Sequence, residues 1–233
     1  MHKVFGYLFL ADALVELYSE VTANPAIGYV TKPLLMVLLI LYYATGLLTP
    51  PHKSHKLMIA AFVFSWIGDV SLMLVNFEPT LFLVGLVAFL ITHVLYIIAF
   101  THVSHHQPAV LPKRFWLLTP LALYLIVLLY ILIPGMQHNP DVRIQGLLIP
   151  VLVYTSVIST MVIFAVNRYR RVNDASFALV LGGALLFMFS DSLIAVNRFV
   201  SPVSGAGFFI MLLYISGQYL IARGSLQQYV HKS

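Results

Sequence analysis

Eight long apolar stretches follow one another along this chain, roughly over residues 4–20, 31–48, 56–77, 80–101, 115–134, 146–167, 175–197 and 204–223, each ended by proline, glycine or charge. Most approach the ~20 residues that a helix needs to cross a hydrocarbon core about 30 Å thick. They are continuous rather than alternating, which favours helices over barrel strands. In lipid, every backbone N–H and C=O must be satisfied by the spanning structure, and a helix does this within one segment. Composition leads to the same conclusion. Only 9% of the residues are charged and 61% are hydrophobic, whereas a soluble domain carries roughly 25% charge. The sequence therefore predicts an all-α, polytopic integral membrane protein, with one transmembrane domain of eight helices over residues 1–233.

The connections are short and carry turn signals, at Asn24-Pro25, Thr49-Pro50-Pro51, Glu78-Pro79, Pro134-Gly135, Asn139-Pro140 and Ser201-Pro202. None is long enough for a soluble domain. With eight spans, one side of the membrane receives Lys3, Lys53, Lys56, Lys113, Arg114, Arg168, Arg170, Arg171, Arg223 and Lys232, and the other only Lys32, Arg143 and Arg198. This asymmetry places both termini in the cytoplasm, in a plasma or inner membrane. Trp116 beside Lys113 and Arg114 suits an interfacial anchor. The first stretch starts like a signal peptide, but Asp12 and Glu16 interrupt it, so it is expected to be retained as the first helix. A short internal match links Phe64-Ser65-Trp66-Ile67-Gly68-Asp69 to Phe187-Met188-Phe189-Ser190-Asp191. A four-plus-four duplication would explain it.

Several chemistries are set aside. There is no cysteine, which removes disulfides, thiolate nucleophiles and Cys-based metal sites. The basic residues are scattered over short loops, so nucleic acid is not an expected partner. No Gly-x-Ser-x-Gly or His-Glu-x-x-His pattern occurs. Only His93 lies deep in a span, too few for a zinc hydrolase. Neither a metal nor a cofactor is expected, and no obligate protein partner is evident.

Carboxylates remain. An ionisable group at bilayer depth costs about 2.5–3.5 kcal/mol on insertion scales and calls for a reason. Asp69 in the third span and Asp191 in the seventh lie at similar depth when counted from the inner ends at about 1.5 Å per residue. If those helices are neighbours, the two converge on one site. The competing reading is two separate structural carboxylates. Gly85, Phe89, His93 and Tyr96 share one face of the fourth span. Tyr214 and Gln218 form an i, i+4 pair in the eighth, and Tyr154, Thr155 and Ser159 a mild polar edge in the sixth; such groups are more often interhelical ties than catalysts. Asp12, Glu16 and Glu20 form a stripe on the first span, which either lines a cavity or brings Glu16 and Glu20 to the outer interface; the second is favoured. Lys32 with Pro33 is expected to open the second span at that interface, where it meets a lipid phosphate or snorkels. His52, His55, His102, His105 and His106 are expected to be solvated on the cytoplasmic side.

Lys32-Pro33, Gly68-Asp69 with Leu72-Met73, the Gly85…Phe89…His93…Tyr96 face, Gly183-Ala184…Phe187…Ser190-Asp191 and Tyr214…Gln218 together resemble the YhhN-type lysoplasmalogenases, over the second to eighth spans. The acidic stripe of the first span has no clear match there. The resemblance implies an eight-helix membrane hydrolase. Such an enzyme cleaves the vinyl ether bond of a lysophospholipid within the bilayer, releasing a fatty aldehyde and glycerophospho-ethanolamine or -choline. A vinyl ether resists bases and nucleophiles but yields to protonation at carbon, so the reaction calls for one protonated and one ionised carboxyl. A dry bundle supports that division of labour, in the manner of glycosidases. On this basis Asp69 and Asp191 are the expected catalytic pair. Lys32, His93, Tyr96, Tyr154, Tyr214, Gln218 and Ser190 are the expected binding or orienting residues. A proton-coupled transporter and another intramembrane lysolipid hydrolase are the alternatives.

Overall fold

A computed structural model describes residues 1–47, 52–102, 109, 111 and 114–228. Thr49, Pro50, Pro51, His105, His106, Lys113 and Lys232 lie outside the described residues. Among the described residues the chain is helical, without strands. The helices are α1 (His2–Thr22), α2 (Pro25–Thr45), α3 (Lys53–Met73), α4 (Leu81–Thr101), α5 (Thr119–Gln137, led in by a 3-10 turn at Phe115–Leu118), the five-residue α6 (Val142–Gly146), α7 (Leu148–Val166), α8 (Asp174–Phe199) and α9 (Ala206–Gln227). Seven are long and apolar enough to cross a membrane: α2, α3, α4, α5 with its lead-in, α7, α8 and α9. The remaining long helix, α1, matches them in length and carries the acidic stripe.

Local signals explain most helix ends. Asn24 caps α2 by accepting from the Ala26 N–H, with Pro25 at the first helical position. This corrects the expectation that Lys32 and Pro33 open the second span. They lie in its third turn, because the capping Asn-Pro pair comes first and a bundle tolerates an internal proline. Asn173 caps α8 through the Ser176 N–H, and His52 caps α3 through Ser54. A cap and a buried contact replace the expected solvation at the histidine end of α3. His55 is buried and hydrogen-bonded to the Tyr43 hydroxyl at 2.7 Å.

The bundle is held by adjacent pairs, α8 with α9, α3 with α4 and α1 with α2. Without a hydrophobic drive between helices in lipid, close approach depends on small residues. At the α8–α9 crossing, a Cβ added to Gly183 would lie 2.6 Å from the Gly217 carbonyl oxygen and 2.9 Å from the Ile221 nitrogen. Between α3 and α4, one on Gly68 would strike the Phe89 ring at 2.6 Å, and one on Gly85 the Leu72 side chain at 2.8 Å. These contacts set the spacing of α8 against α9 and of α3 against α4, the pairs that carry Asp191 and Asp69. By contrast, α5 buries only Leu128, Leu132 and Met136.

Candidate active site

Asp69 follows Gly68 on α3, where the α3–α4 crossing is tightest. Its Oδ2 accepts a hydrogen bond of 2.7 Å from the Tyr214 hydroxyl of α9. Behind that phenol lies a buried polar chain. Gln218 Nε2 donates to Ser65 Oγ at 3.0 Å and to the Tyr214 oxygen at 3.4 Å, while the Tyr96 hydroxyl donates to Gln218 Oε1 at 2.5 Å. Ser65 donates in turn to Thr92. Each member is satisfied, as a polar group in an apolar bundle must be.

Asp191 on α8 is met from two other helices. The Tyr154 hydroxyl of α7 donates to its Oδ2. The His93 Nε2 of α4 lies 3.8 Å from the same oxygen. His93 is fully buried and its Nδ1 lies 2.6 Å from the Phe89 carbonyl oxygen. A carbonyl only accepts, so Nδ1 carries the hydrogen and Nε2 is the nitrogen turned to the site, with a lone pair there when the ring is neutral. No hydrogen bond is made to that nitrogen. Phe187 stands between the two carboxylate clusters, edge-on to His93 at 4.8 Å and to Tyr214 at 5.3 Å.

Two cavities meet here. An apolar cleft is lined by residues of α3, α4, α5, α7 and α8, with Asp191, Tyr154, Thr155, Ser159 and Ser192 as its polar lining. A polar vestibule of about 830 Å³ lies where α1 ends and α2 begins, lined by Ser19, Glu20, Asn24, Lys32 and Asn76 among others. Leu72 lines both. It lies one helical turn beyond Asp69, which is in the lining of neither, whereas Asp191 opens onto the cleft.

Of the residues singled out from the sequence, Asp69 with Tyr214, and Asp191 with Tyr154 and His93, are brought together. Tyr96 reaches Gln218 rather than a carboxylate. Ser190 is not in the site: its hydroxyl donates to the Ile210 carbonyl at 2.9 Å and ties α8 to α9. Lys32 does not stand alone at an interface. Its ammonium is 2.7 Å from Glu20 Oε1 and 3.6 Å from Glu16 Oε1. Glu16 is fully buried and accepts a hydrogen bond from Thr31, which corrects the expectation that it reaches the interface. A carboxylate beside a lysine is better compensated inside the bundle than in the acyl chains. Thr31, Ser65 and Thr92 join these clusters from outside the expected site residues, and of the three only Ser65, at i−4 from Asp69, has a legible signal in the sequence.

These features define a multi-pass helical membrane protein with two acidic groups, each held by a phenol, inside its bundle. The chain belongs to the YhhN family, whose model matches residues 27–225. It is 30% identical over 193 residues to human lysoplasmalogenase TMEM86B, covering 80% of this chain and 70% of that protein. No solved structure matches it.

Proposed function

We propose that this protein hydrolyses the vinyl ether bond of lysoplasmalogens, with Asp69 and Asp191 as its acid–base pair. The observation that supports this reading is that Asp191 lines the apolar cleft while Asp69 lies one turn from Leu72, the residue at the junction of that cleft with the polar vestibule. An amphiphile lying across that junction has its headgroup in the vestibule, its chain in the cleft and its ether linkage beside both acids. The family and the human relative support the same substrate class.

Asp191 opens onto the chain cleft and is the acid. Its carboxyl proton goes to the vinyl carbon β to oxygen, on the chain side, and leaves an oxocarbenium ion. Asp69, toward the headgroup, stabilises that cation and takes a proton from water as the hydroxyl adds to the carbon beside oxygen. The hemiacetal hydroxyl then returns a proton to Asp191, and Asp69 gives its proton to the departing glycerol oxygen. The cycle closes with both aspartates restored and one water consumed. Tyr154 and Tyr214 hold the two carboxylates in place, with Gln218 and Tyr96 behind Tyr214. The His93 lone pair faces Asp191 and orients water or the carboxyl hydrogen. Lys32 meets the lipid phosphate.

The topology proposed is eight spans with both termini cytoplasmic. Support comes from α1, which packs on α2 and α9 and turns Tyr7, Leu14, Tyr18 and Val21 outward, each more than half exposed.

The test is purified protein incubated with alkenyl-, alkyl- and acyl-lysophospholipids, with products identified by mass spectrometry. Aldehyde from the alkenyl lipid alone is the expected result. Asp69→Asn and Asp191→Asn should each lower turnover by about 10²–10⁴-fold while the protein still elutes as a folded species. Release of fatty acid instead of aldehyde would overturn the reading, as would near-normal turnover in either variant.

A further inference from the structure

Three carboxylates of α1 take no part in that reaction. Asp12, Glu16 and Glu20 stand one turn apart, and Lys32 is the cation placed among them, within 2.7 Å of Glu20 and 3.6 Å of Glu16. Thr31 donates to one oxygen of Glu16. The other, Oε1, faces Lys32 yet accepts no hydrogen bond, although Glu16 is fully buried. A buried carboxylate oxygen is costly unless a donor meets it. The vestibule opens beside this group, with Glu20 and Lys32 in its wall and Ser19, Asn24 and Asn76 around them.

We propose that this vestibule is a headgroup site for a primary ammonium. Glu20 accepts the N–H donors of an ethanolamine-type headgroup and Lys32 holds the adjoining phosphate, so the zwitterion lies against a lysine–glutamate pair of opposite sense. A trimethylammonium group carries no N–H donor and forms no hydrogen bond with Glu20. The inference rests on the lysoplasmalogen reading and adds to it the discrimination between headgroups.

The test uses three lysolipids that share one alkenyl chain and carry ethanolamine, N-acetylethanolamine or choline. Both KM and equilibrium binding to the purified protein are measured. With the wild-type protein, the acetylated and choline lipids should bind about tenfold more weakly than the ethanolamine lipid, the loss of one charge-assisted contact. In Glu20→Gln that ratio should fall close to one. Equal affinity of the wild-type protein for all three overturns the proposal, as does an unchanged ratio in Glu20→Gln. If Glu20→Gln fails to fold, the wild-type series still decides. Binding discrimination without turnover of any lipid would overturn the hydrolase reading and leave the headgroup site standing.

Discussion

At the residue scale, the aspartates are conspicuous in the sequence, and which phenol meets which of them is not. A carboxylate in a span of apolar residues stands out because its transfer cost belongs to that residue alone. The chain holds 13 tyrosines, and only polar neighbours on the same helix, Gln218 for Tyr214 and Thr155 and Ser159 for Tyr154, set these two apart locally. They are selected by where their phenol tips end, Tyr214 on a carboxylate 145 residues away. Removing either hydroxyl strips the hydrogen bond that holds a catalytic carboxyl group, worth about 1–3 kcal/mol. Tyr154→Phe and Tyr214→Phe should therefore each lower kcat by about ten- to hundredfold, as read from the rate of aldehyde release. The tautomer of His93 gives a further expectation. Glutamine keeps an acceptor near Asp191 and leucine does not, so His93→Gln should retain measurably more activity than His93→Leu in the same assay.

At the element scale, the lengths and positions of the helices follow from their hydropathy and caps, apart from the early start of α2 and the extra turn of α6. What holds them at working distance is the set of glycine contacts. Gly183→Ala drives a methyl group onto the Gly217 carbonyl and the Ile221 nitrogen of α9, both rigid backbone. Overpacking of this kind costs about 1–3 kcal/mol. The variant should melt several degrees lower in detergent, as read by a thermal unfolding scan. Because Tyr214 rides on α9, its activity should fall further than its stability, with kcat affected more than KM. Gly182 offers a control on the same helix. A Cβ there meets only Leu220, at an ordinary 3.8 Å, so Gly182→Ala should melt at or above the wild-type temperature.

At the scale of the whole molecule, two features invite measurement. The first is the crossing of α1. The chain has no cysteine, so single cysteines report topology without background. Ala23→Cys and Ser201→Cys should react with a membrane-impermeant maleimide on intact cells, and Lys3→Cys only after permeabilisation. Labelling of Lys3→Cys from outside would remove one span from the proposed eight. The second is the cleft. Leu128 of α5 lines it, and a tryptophan there fills space that the alkenyl chain needs. Leu128→Trp should shift preference toward shorter chains, measured as the ratio of kcat/KM between long- and short-chain lysoplasmalogens.

The helical class, the apolar character of α2 to α5 and α7 to α9, and the unusual acids can all be read residue by residue. The bilayer acts on each side chain through its own transfer energy, so these properties need no knowledge of neighbours. The pairing of Asp69 with Tyr214, of Asp191 with Tyr154 and His93, and of Lys32 with Glu16 and Glu20 is of another kind. Lipid draws no distinction between one apolar helix face and another, so helix order does not follow from hydropathy. It follows from which glycine-lined faces approach closely and which buried polar groups find partners, and those matches exist only once α3, α4, α7, α8 and α9 have packed around a common centre.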